Sequence, residues 1–160
     1  MDAQAIRDSY PAPSRILPTK TALELLHEKG HEVWAVAPTA SVYEAIELMA
    51  EKRVGALLVM QGPTLAGIVS ERDYARRVVL QGRSSRETSV KQIMSADVVT
   101  VGPNDDLELC MKLMTDHHFR HLPVVDQGSV IGVVSIGDMV RVTIAQQRYL
   151  LDELERYVSG

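Results

Sequence analysis

Two seven-residue segments of the chain, 67–73 and 132–138, combine side chains that could bind a ligand. Both have the pattern Gly, two β-branched residues, Ser, two variable residues, Asp. Each follows an apolar run and precedes an amphipathic stretch, which is typical of a strand that runs into a helix. At such a junction Ser can cap the helix, and the Asp carboxylate suits the positive end of the helix dipole. The same groups can bind polar atoms of a ligand, so one copy alone leaves both roles open.

The two segments belong to a longer internal repeat. Residues 36–73 align with residues 101–138 without a gap, and ten of these 38 positions are identical. Chance rarely produces such agreement, so the sequence predicts a tandem duplication. A duplication that folds into one body usually has a pseudo-twofold axis with a cleft along it. We therefore expect the two Ser/Asp motifs to face one shared cleft.

Hydrophobic periodicity predicts the elements that position these motifs. The expected fold class is α+β or α/β, built from two pseudo-symmetric β-α-β-β-α repeats. In the first repeat the pattern predicts a strand at 33–37, a helix at 41–52, strands at 56–60 and 65–69, and a helix after Asp73. In the second repeat it predicts a strand at 98–101, a helix from 106, strands at 121–125 and 130–134, and a helix to about residue 157.

The remaining segments flank or join the repeats. The expected organisation is an arm with a short helix (19–29) over 1–31, a first repeat over 32–81, a linker over 82–95, a second repeat over 96–141 and a helical extension over 142–160. The linker is polar and is expected to end in a helical turn at 90–94. The last helix keeps more apolar surface than one small repeat needs, which predicts a homodimer.

Composition and charge narrow the possible functions. A hydrophobic content of 46% and a charged content of 24% are ordinary for a globular protein. The net charge of −4 provides no general attraction to nucleic acid. No signal peptide or long apolar span is visible and the single Cys110 excludes an internal disulfide, so we expect a cytoplasmic protein that does not bind membranes. No nucleophile–base pair or metal-ligand spacing is present, so we expect no catalytic residue, no metal and no enzyme activity.

The duplicated pattern resembles that of a known family. Two β-α-β-β-α copies, each ending in Gly-x-x-Ser-x-x-Asp, with Arg-His-Leu-Pro-Val-Val-Asp at 120–126, closely resemble a pair of cystathionine β-synthase (CBS) domains, also called a Bateman module. The resemblance covers about residues 32–141. Nothing beyond it is long enough for a catalytic domain, so a stand-alone pair is expected. The resemblance implies an adenosine-containing ligand, such as AMP, ADP, ATP, NAD(H) or S-adenosylmethionine, and no catalytic cofactor.

The resemblance also implies roles for individual residues. Asp73 and Asp138 would accept hydrogen bonds from a ribose 2′,3′-diol, as acidic residues do in dinucleotide sites. Ser70 and Ser135, with free N–H groups at the helix starts, would bind phosphate oxygens. Apolar strand residues near Val36, Val69, Val101 and Val134 would enclose the adenine ring, and Arg72 inside the first motif completes the predicted set.

The resemblance further predicts that the two sites differ. In CBS pairs the residues before the Pro of one repeat often face the phosphate of the ligand held by the other repeat. Arg120 and His121, which precede Pro123, should therefore face the ligand of Asp73, and this site should prefer a compact phosphate. The Asp138 site would face Gly55 and Ala56 and accept a longer ligand.

Two alternatives stay open at the level of sequence. Arg120 could instead be a surface residue paired with a carboxylate such as Asp116. The whole chain could also be a ligand-free homodimerisation scaffold rather than a ligand sensor that signals to an unidentified protein partner. Binding of nucleotides is the property that separates the last two hypotheses.

Overall fold

Two small β-sheets, one from each repeat, form the framework of the protein. The computed structural model describes residues 3–9 and 20–160. In the first sheet, β1 (Ala35–Val36) is parallel to β2 (Ala56–Gln61), which is antiparallel to β3 (Thr64–Ser70). In the second, β4 (His121–Asp126) is antiparallel to β5 (Ser129–Ser135). Each hairpin has a register shift at the equivalent position, so the duplication extends to the strand pairing.

Helices cover these sheets and begin where the capping residues predict. Ser41 and Glu44 form the expected capping box, and Asp106 caps the equivalent helix of the second repeat. The helices are α1 (Ala3–Asp8), α2 (Ala22–Lys29), α3 (Val42–Lys52), α4 (Glu71–Tyr74), α5 (Leu107–His117) and α6 (Ile136–Ser159), with a π-helical turn at Ala75–Val79 and a 3₁₀ turn at Val90–Gln92.

The predicted fold class is confirmed, but two strand predictions need correction. The strand expected at 98–101 is absent from the described residues, because only Val101 pairs, in a single parallel bridge to Val124. Gly102 and Pro103 follow at once and end the pairing. The strand expected at 33–37 is shortened to β1. Part of the predicted arm forms α1, while residues 1, 2 and 10–19 lie outside the described residues.

Each repeat has its own hydrophobic core among the described residues. Each core is completed by a segment that precedes the other repeat in sequence. The core of the first repeat contains Val90 and Ile93 from the linker. The core of the second repeat contains Ala22, Leu25 and Leu26 from α2. The two repeats are therefore tied together by exchanged segments.

Backbone hydrogen bonds fix this exchange in the same way on both sides. A short antiparallel bridge joins Ser41 to Ser89, and its counterpart joins Thr21 to Asp106. Three backbone hydrogen bonds then recur at equivalent positions. In the first repeat Val42 N donates to Thr88 O, Val90 N to Ala40 O and Lys91 N to Pro38 O. Their counterparts in the second repeat run from Leu107 N to Lys20 O, from Ala22 N to Asp105 O and from Leu23 N to Pro103 O.

The Gly that opens each Ser/Asp motif is required by this exchange. A Cβ atom at Gly132 would lie 2.5 Å from Leu26 Cδ2, on α2. At Gly67 it would lie 2.7 Å from both Met94 Sδ and Ser95 O. The exchanged segment thus packs directly on the backbone of β3 or β5, a contact that any larger residue would obstruct.

We predict that Gly67→Ala lowers the free energy of unfolding more than Gly132→Ala does. The expected loss for Gly67→Ala is about 1–3 kcal/mol. The reason is that Gly67 faces a backbone carbonyl held by hydrogen bonds to Ile68, whereas Gly132 faces only the end of the Leu26 side chain. Urea denaturation of both variants measures the difference. Gly137→Ala, which meets ordinary contacts in α6, is the matched control and should not destabilise. Equal stability of all three variants would contradict the packing argument.

Candidate functional site

A cleft of about 520 Å³ lies between the two repeats, next to the first Ser/Asp motif. We call it the Asp73 cleft. One wall comes from the starts of β2 and α4, and the other from the end of α5 and the start of β4. Its lining residues are Gly55, Ala56, Ile68, Ser70, Glu71, Arg72, Asp73, Ser95, Asp97, Val98, Val99, His117, His118, Phe119, Arg120 and His121.

The carboxylate of Asp73 is held by a reciprocal capping box and keeps one oxygen available. Its Oδ2 accepts hydrogen bonds from Ser70 N at 2.9 Å and Ser70 Oγ at 3.0 Å, and Ser70 Oγ accepts from Asp73 N at 3.1 Å. No hydrogen bond to its Oδ1 comes from the described part of the chain. The box fixes the side chain while the free oxygen can accept hydrogen bonds from a ligand.

Two arginines face the Asp73 cleft from opposite repeats. Arg72 donates to the carbonyl of His118 at 3.3 Å and so links α4 to the end of α5. Arg120 is exposed, and its guanidinium forms no hydrogen bond with the other described residues. A guanidinium free to move in a cleft suits recognition of phosphate oxygens.

His121 lies between the Asp73 cleft and the second Ser/Asp motif. Burial lowers its pKa below the ordinary value of 6.5, and the positive charges of Lys29 and Arg120 lower it further. The carboxylate of Asp138 acts in the opposite direction but is outweighed. At neutral pH the imidazole is therefore neutral in the ligand-free protein and can both donate and accept one hydrogen bond.

The second motif forms the same capping box in different surroundings. Asp138 Oδ2 accepts from Ser135 N at 2.8 Å and from Lys29 Nζ at 2.7 Å, and Arg141 binds Oδ1. The side chain of Asp138 is only 3% exposed. Burial alone would raise the pKa of Asp138, but the hydrogen bond and charge of Lys29 and the hydrogen bonds from Ser135 hold it below its usual value.

The structure therefore reverses the predicted asymmetry of the two sites. Gly55 and Ala56 were expected to leave room at Asp138, but they line the Asp73 cleft instead. Asp138 lies buried between Lys29 and Arg141, because α2 packs against the second repeat and carries Lys29 to this motif. The prediction of a roomier site at Asp138 was wrong for this structure.

Two further predictions about the sites are corrected by the packing. The N–H groups expected to be free at the helix starts are largely used, since Glu71 N donates to Gly55 O and Ile136 N donates to Arg120 O. The four valines expected around an adenine ring do not line the Asp73 cleft. Val69, Val101 and Val134 are fully buried in the two cores, and Val36 packs against the first core. Pro123 is likewise buried and lies outside the cleft lining.

Sequence reasoning missed several residues of the cleft. Ile68 and Val98 supply the half-buried apolar surface that was assigned to the valines. Strand alternation could have identified Ile68, since the core takes Gly67 and Val69 on the opposite face. His118, in a left-handed conformation, and Phe119 also line the cleft, and the ring of Phe119 stacks on that of His117 with 5.9 Å between ring centroids.

The described residues contain no group of three or more side chains arranged to hold a metal ion. Among them, no helix combines the length and apolar character needed to cross a membrane. Cys110 is buried in the second core.

Comparison with known proteins extends the resemblance. The family model of the CBS domain matches residues 30–80 and 90–144. The CBS domain-containing protein CBSX3, mitochondrial, of Arabidopsis thaliana is 42% identical over 136 residues, which cover 82% of this chain and 66% of that protein. This chain thus spans just under two thirds of that relative.

Solved structures show the same architecture. A putative signal-transduction protein with CBS domains from Burkholderia ambifaria is 51% identical, with a TM-score of 0.77, and the match covers 80% of this chain and 96% of that one. The CBS domain pair of protein MJ0100, in complex with 5′-methylthioadenosine and S-adenosyl-L-methionine, has a TM-score of 0.72 over 81% of this chain and 99% of that one. At 20% identity this last likeness shows the fold alone.

We predict that His121 titrates below pH 6.5 in the ligand-free protein and that Lys29→Gln raises its pKa, because a positive neighbour disfavours the imidazolium. Histidine NMR signals followed against pH measure both values. Lys20→Gln removes a lysine that pairs with the exposed Glu28 and should leave His121 unchanged.

The same shift has a consequence for stability. The unfolded state takes up the His121 proton at higher pH than the folded state, so the free energy of unfolding should fall as pH drops from about 7 through 6.5 towards the folded pKa. His121→Asn should remove this part of the pH dependence. A pKa of His121 above 6.5 would contradict the described burial.

Proposed function

The chain belongs to the CBS domain family, and on that basis we propose that it binds an adenosine-containing ligand in the Asp73 cleft and acts as a ligand sensor. The observation that carries the proposal is that one cleft contains both a fixed carboxylate oxygen, Asp73 Oδ1, and the guanidinium of Arg120, which has no hydrogen-bond partner among the described residues. A ribose diol needs the first group, and a phosphate needs the second. The two groups come from different repeats, so a ligand that bridges them also bridges the repeats.

A nucleoside monophosphate suits this cleft best. The volume of the cleft, about 520 Å³, is in the range of small-ligand pockets. Arg72 and Arg120 offer guanidinium donors to a phosphate group, and Ile68 and Val98 offer apolar surface to a base. Three carboxylates, those of Glu71, Asp73 and Asp97, also line the cleft and would repel a long polyphosphate. We therefore propose AMP before ATP or NAD(H), with S-adenosylmethionine, which has no phosphate, as the alternative that the MJ0100 complex suggests.

The competing function is a ligand-free homodimerisation scaffold. In that case the Ser/Asp motifs serve only as helix caps, which both capping boxes do in this structure. Among the described residues neither Asp73 Oδ1 nor the Arg120 guanidinium has a hydrogen-bond partner, which favours the sensor, because a purely structural box has no need of either group. A cytoplasmic location and an unidentified protein partner remain predictions, and the 42% identical relative carries a mitochondrial name.

We also propose that two copies of the chain associate through α6. Every residue from 144 to the end of the chain is exposed, so the last two thirds of α6 extend from the body as a helix of about 24 Å. Its exposed apolar side chains are incompatible with an isolated helix in water. They are Ile144, Tyr149, Leu150, Leu151, Leu154, Tyr157 and Val158.

The spacing along α6 favours a second copy of the same helix as the partner. Val140, Ile144, Gln147, Leu151, Leu154 and Val158 alternate at four and three residues, which is the a/d spacing of a two-stranded coiled coil. Gln147 supplies one polar core position, and a polar residue at such a position fixes register at a cost in stability. Charged residues of both signs, including Arg148 and Glu155, flank this seam.

We predict that AMP raises the melting temperature of the protein and that Asp73→Ala weakens AMP binding about ten- to a hundredfold, since a charge-assisted hydrogen bond contributes about 1.5–3 kcal/mol. A ligand at 100 times its dissociation constant should stabilise the fold by about 2.7 kcal/mol. Thermal shift with AMP, ADP, ATP, NAD, NADH and S-adenosylmethionine, followed by calorimetry, measures both effects.

Arg120→Ala tests the contribution of the second repeat to the same site. It should weaken AMP binding by a similar factor while leaving adenosine binding almost unchanged, because adenosine has no phosphate. Arg83→Ala removes an exposed arginine that does not line the cleft and is the matched control. Absence of any heat or thermal shift across the whole ligand panel would favour the scaffold.

We predict a particle of twice the 17.7 kDa chain mass in light scattering at micromolar concentration. Leu151→Glu together with Leu154→Glu should produce the monomer, because both side chains lie on the a/d seam. Glu153→Ala, at an outward position of the same helix turn, should leave the dimer intact. A wild-type particle of 17.7 kDa would refute the association.

A further inference from the structure

The second repeat contains the same potential ligand groups as the first, but one lysine already occupies them. Lys29 Nζ donates to Asp138 Oδ2 at 2.7 Å and to the carbonyl of Val133 at 2.6 Å. Its side chain is 30% exposed, whereas that of Asp138 is 3% exposed. The ammonium group therefore lies inside the motif and satisfies its two acceptors together.

The equivalent place in the first repeat has the opposite charge. Lys29 and Asp97 each follow the capping residue of their segment, Thr21 and Ser89, by eight positions. Asp97 lines the Asp73 cleft, where a carboxylate cannot pair with that of Asp73. The carbonyl of Ile68, which corresponds to that of Val133, accepts instead from the backbone N–H of Ser95 at 2.9 Å. A charge reversal at one position thus separates an available motif from an occupied one.

Arg141 completes the occupation of the second motif. Its guanidinium binds Asp138 Oδ1, the oxygen that corresponds to the available Oδ1 of Asp73. Arg141 is itself 71% exposed and so has direct access to water, although the carboxylate that it binds is 3% exposed. Lys29 is anchored by two acceptors on two elements, so it is the group that a ligand would have to displace.

From these contacts we propose that Lys29 is an internal occupant of the second motif, so that each chain binds one adenosine ligand, at the Asp73 cleft. This inference rests on the proposed function of that cleft. A ribose diol at Asp138 would have to break both Lys29 hydrogen bonds, and it carries no charge to replace the ammonium. Removal of the lysine should turn the second motif into a ligand site. Lys29 is then the residue that sets the number of ligands per chain.

The test is the stoichiometry of AMP binding to the full chain by isothermal titration calorimetry. We expect one AMP per chain for the wild type and for Lys20→Gln, the control that removes a lysine from an exposed pair. We expect two for Lys29→Gln, in which Ser135 and Arg141 still hold the Asp138 carboxylate. Lys29→Arg should keep the value at one, because it preserves the charge.

Two double variants identify the sites. Asp73→Ala should remove tight AMP binding when Lys29 is present, and Asp73→Ala with Lys29→Gln should restore one AMP per chain. Two AMP per wild-type chain, AMP binding of unchanged affinity in Asp73→Ala with Lys29 intact, or one AMP per chain in folded Lys29→Gln would each overturn the inference. No binding of any panel ligand to the wild type would instead refute the proposed function, so the two failures are distinguishable.

If Lys29→Gln does not fold, Lys29→Met, which has similar length and no charge, replaces it and should also bind two AMP per chain. In the wild-type background the inference still requires one AMP per chain, bound more weakly in Asp73→Ala. Circular dichroism of each variant establishes whether it is folded.

Discussion

Backbone hydrogen bonding across the two repeats is the constraint on which the rest of the structure depends. The start of each repeat's first helix donates to, and accepts from, a segment that precedes the other repeat in sequence. Buried backbone groups need such partners, so neither repeat is complete alone. The exchange also explains the opening Gly of each motif, because Leu26 and Met94 pack directly on the backbone of β5 and β3. Positioning of the Ser/Asp motifs, and of the cleft beside one of them, follows from this packing.

Identical motifs acquire different properties through the segments that the exchange brings to them. The capping boxes at Ser70 and Ser135 have the same geometry within a few tenths of an ångström. The segment that reaches the second motif is a full helix, α2, which ends in Lys29, whereas Asp97, just after the linker, lines the cleft beside the first motif. Electrostatics outside the motif therefore decides whether its carboxylate is buried in an ion pair or faces a cleft.

Local sequence signals predicted the elements well, but the contents of the cleft depended on tertiary contacts. The capping box of Ser41 and Glu44 and the apolar periodicity located α3 within a residue, because both act over short distances. The strand expected at 98–101 failed because Val101 alone finds a partner there. Likewise, the burial of Asp138 could not be read from the sequence, since Lys29 lies 109 positions away. The alternation of buried and half-buried residues in β3 was enough to predict that Ile68 lies on the face opposite to Gly67 and Val69.

The divergence of the two repeats also connects the cleft to the surface proposed for dimerisation. In the first repeat, α4 has only four residues and is followed directly by the π-helical turn. Arg77 in this turn donates to the carbonyls of Ile93 and Met94. After the second motif α6 continues for 24 residues. The first backbone N–H of α6, that of Ile136, donates to the carbonyl of Arg120, whose side chain faces the cleft. A ligand phosphate that draws Arg120 inward would therefore act on the residue that holds the start of α6. Asp138, in the first turn of α6, is held by Lys29, so the start of this helix is tied both to α2 and to a residue whose side chain lines the cleft.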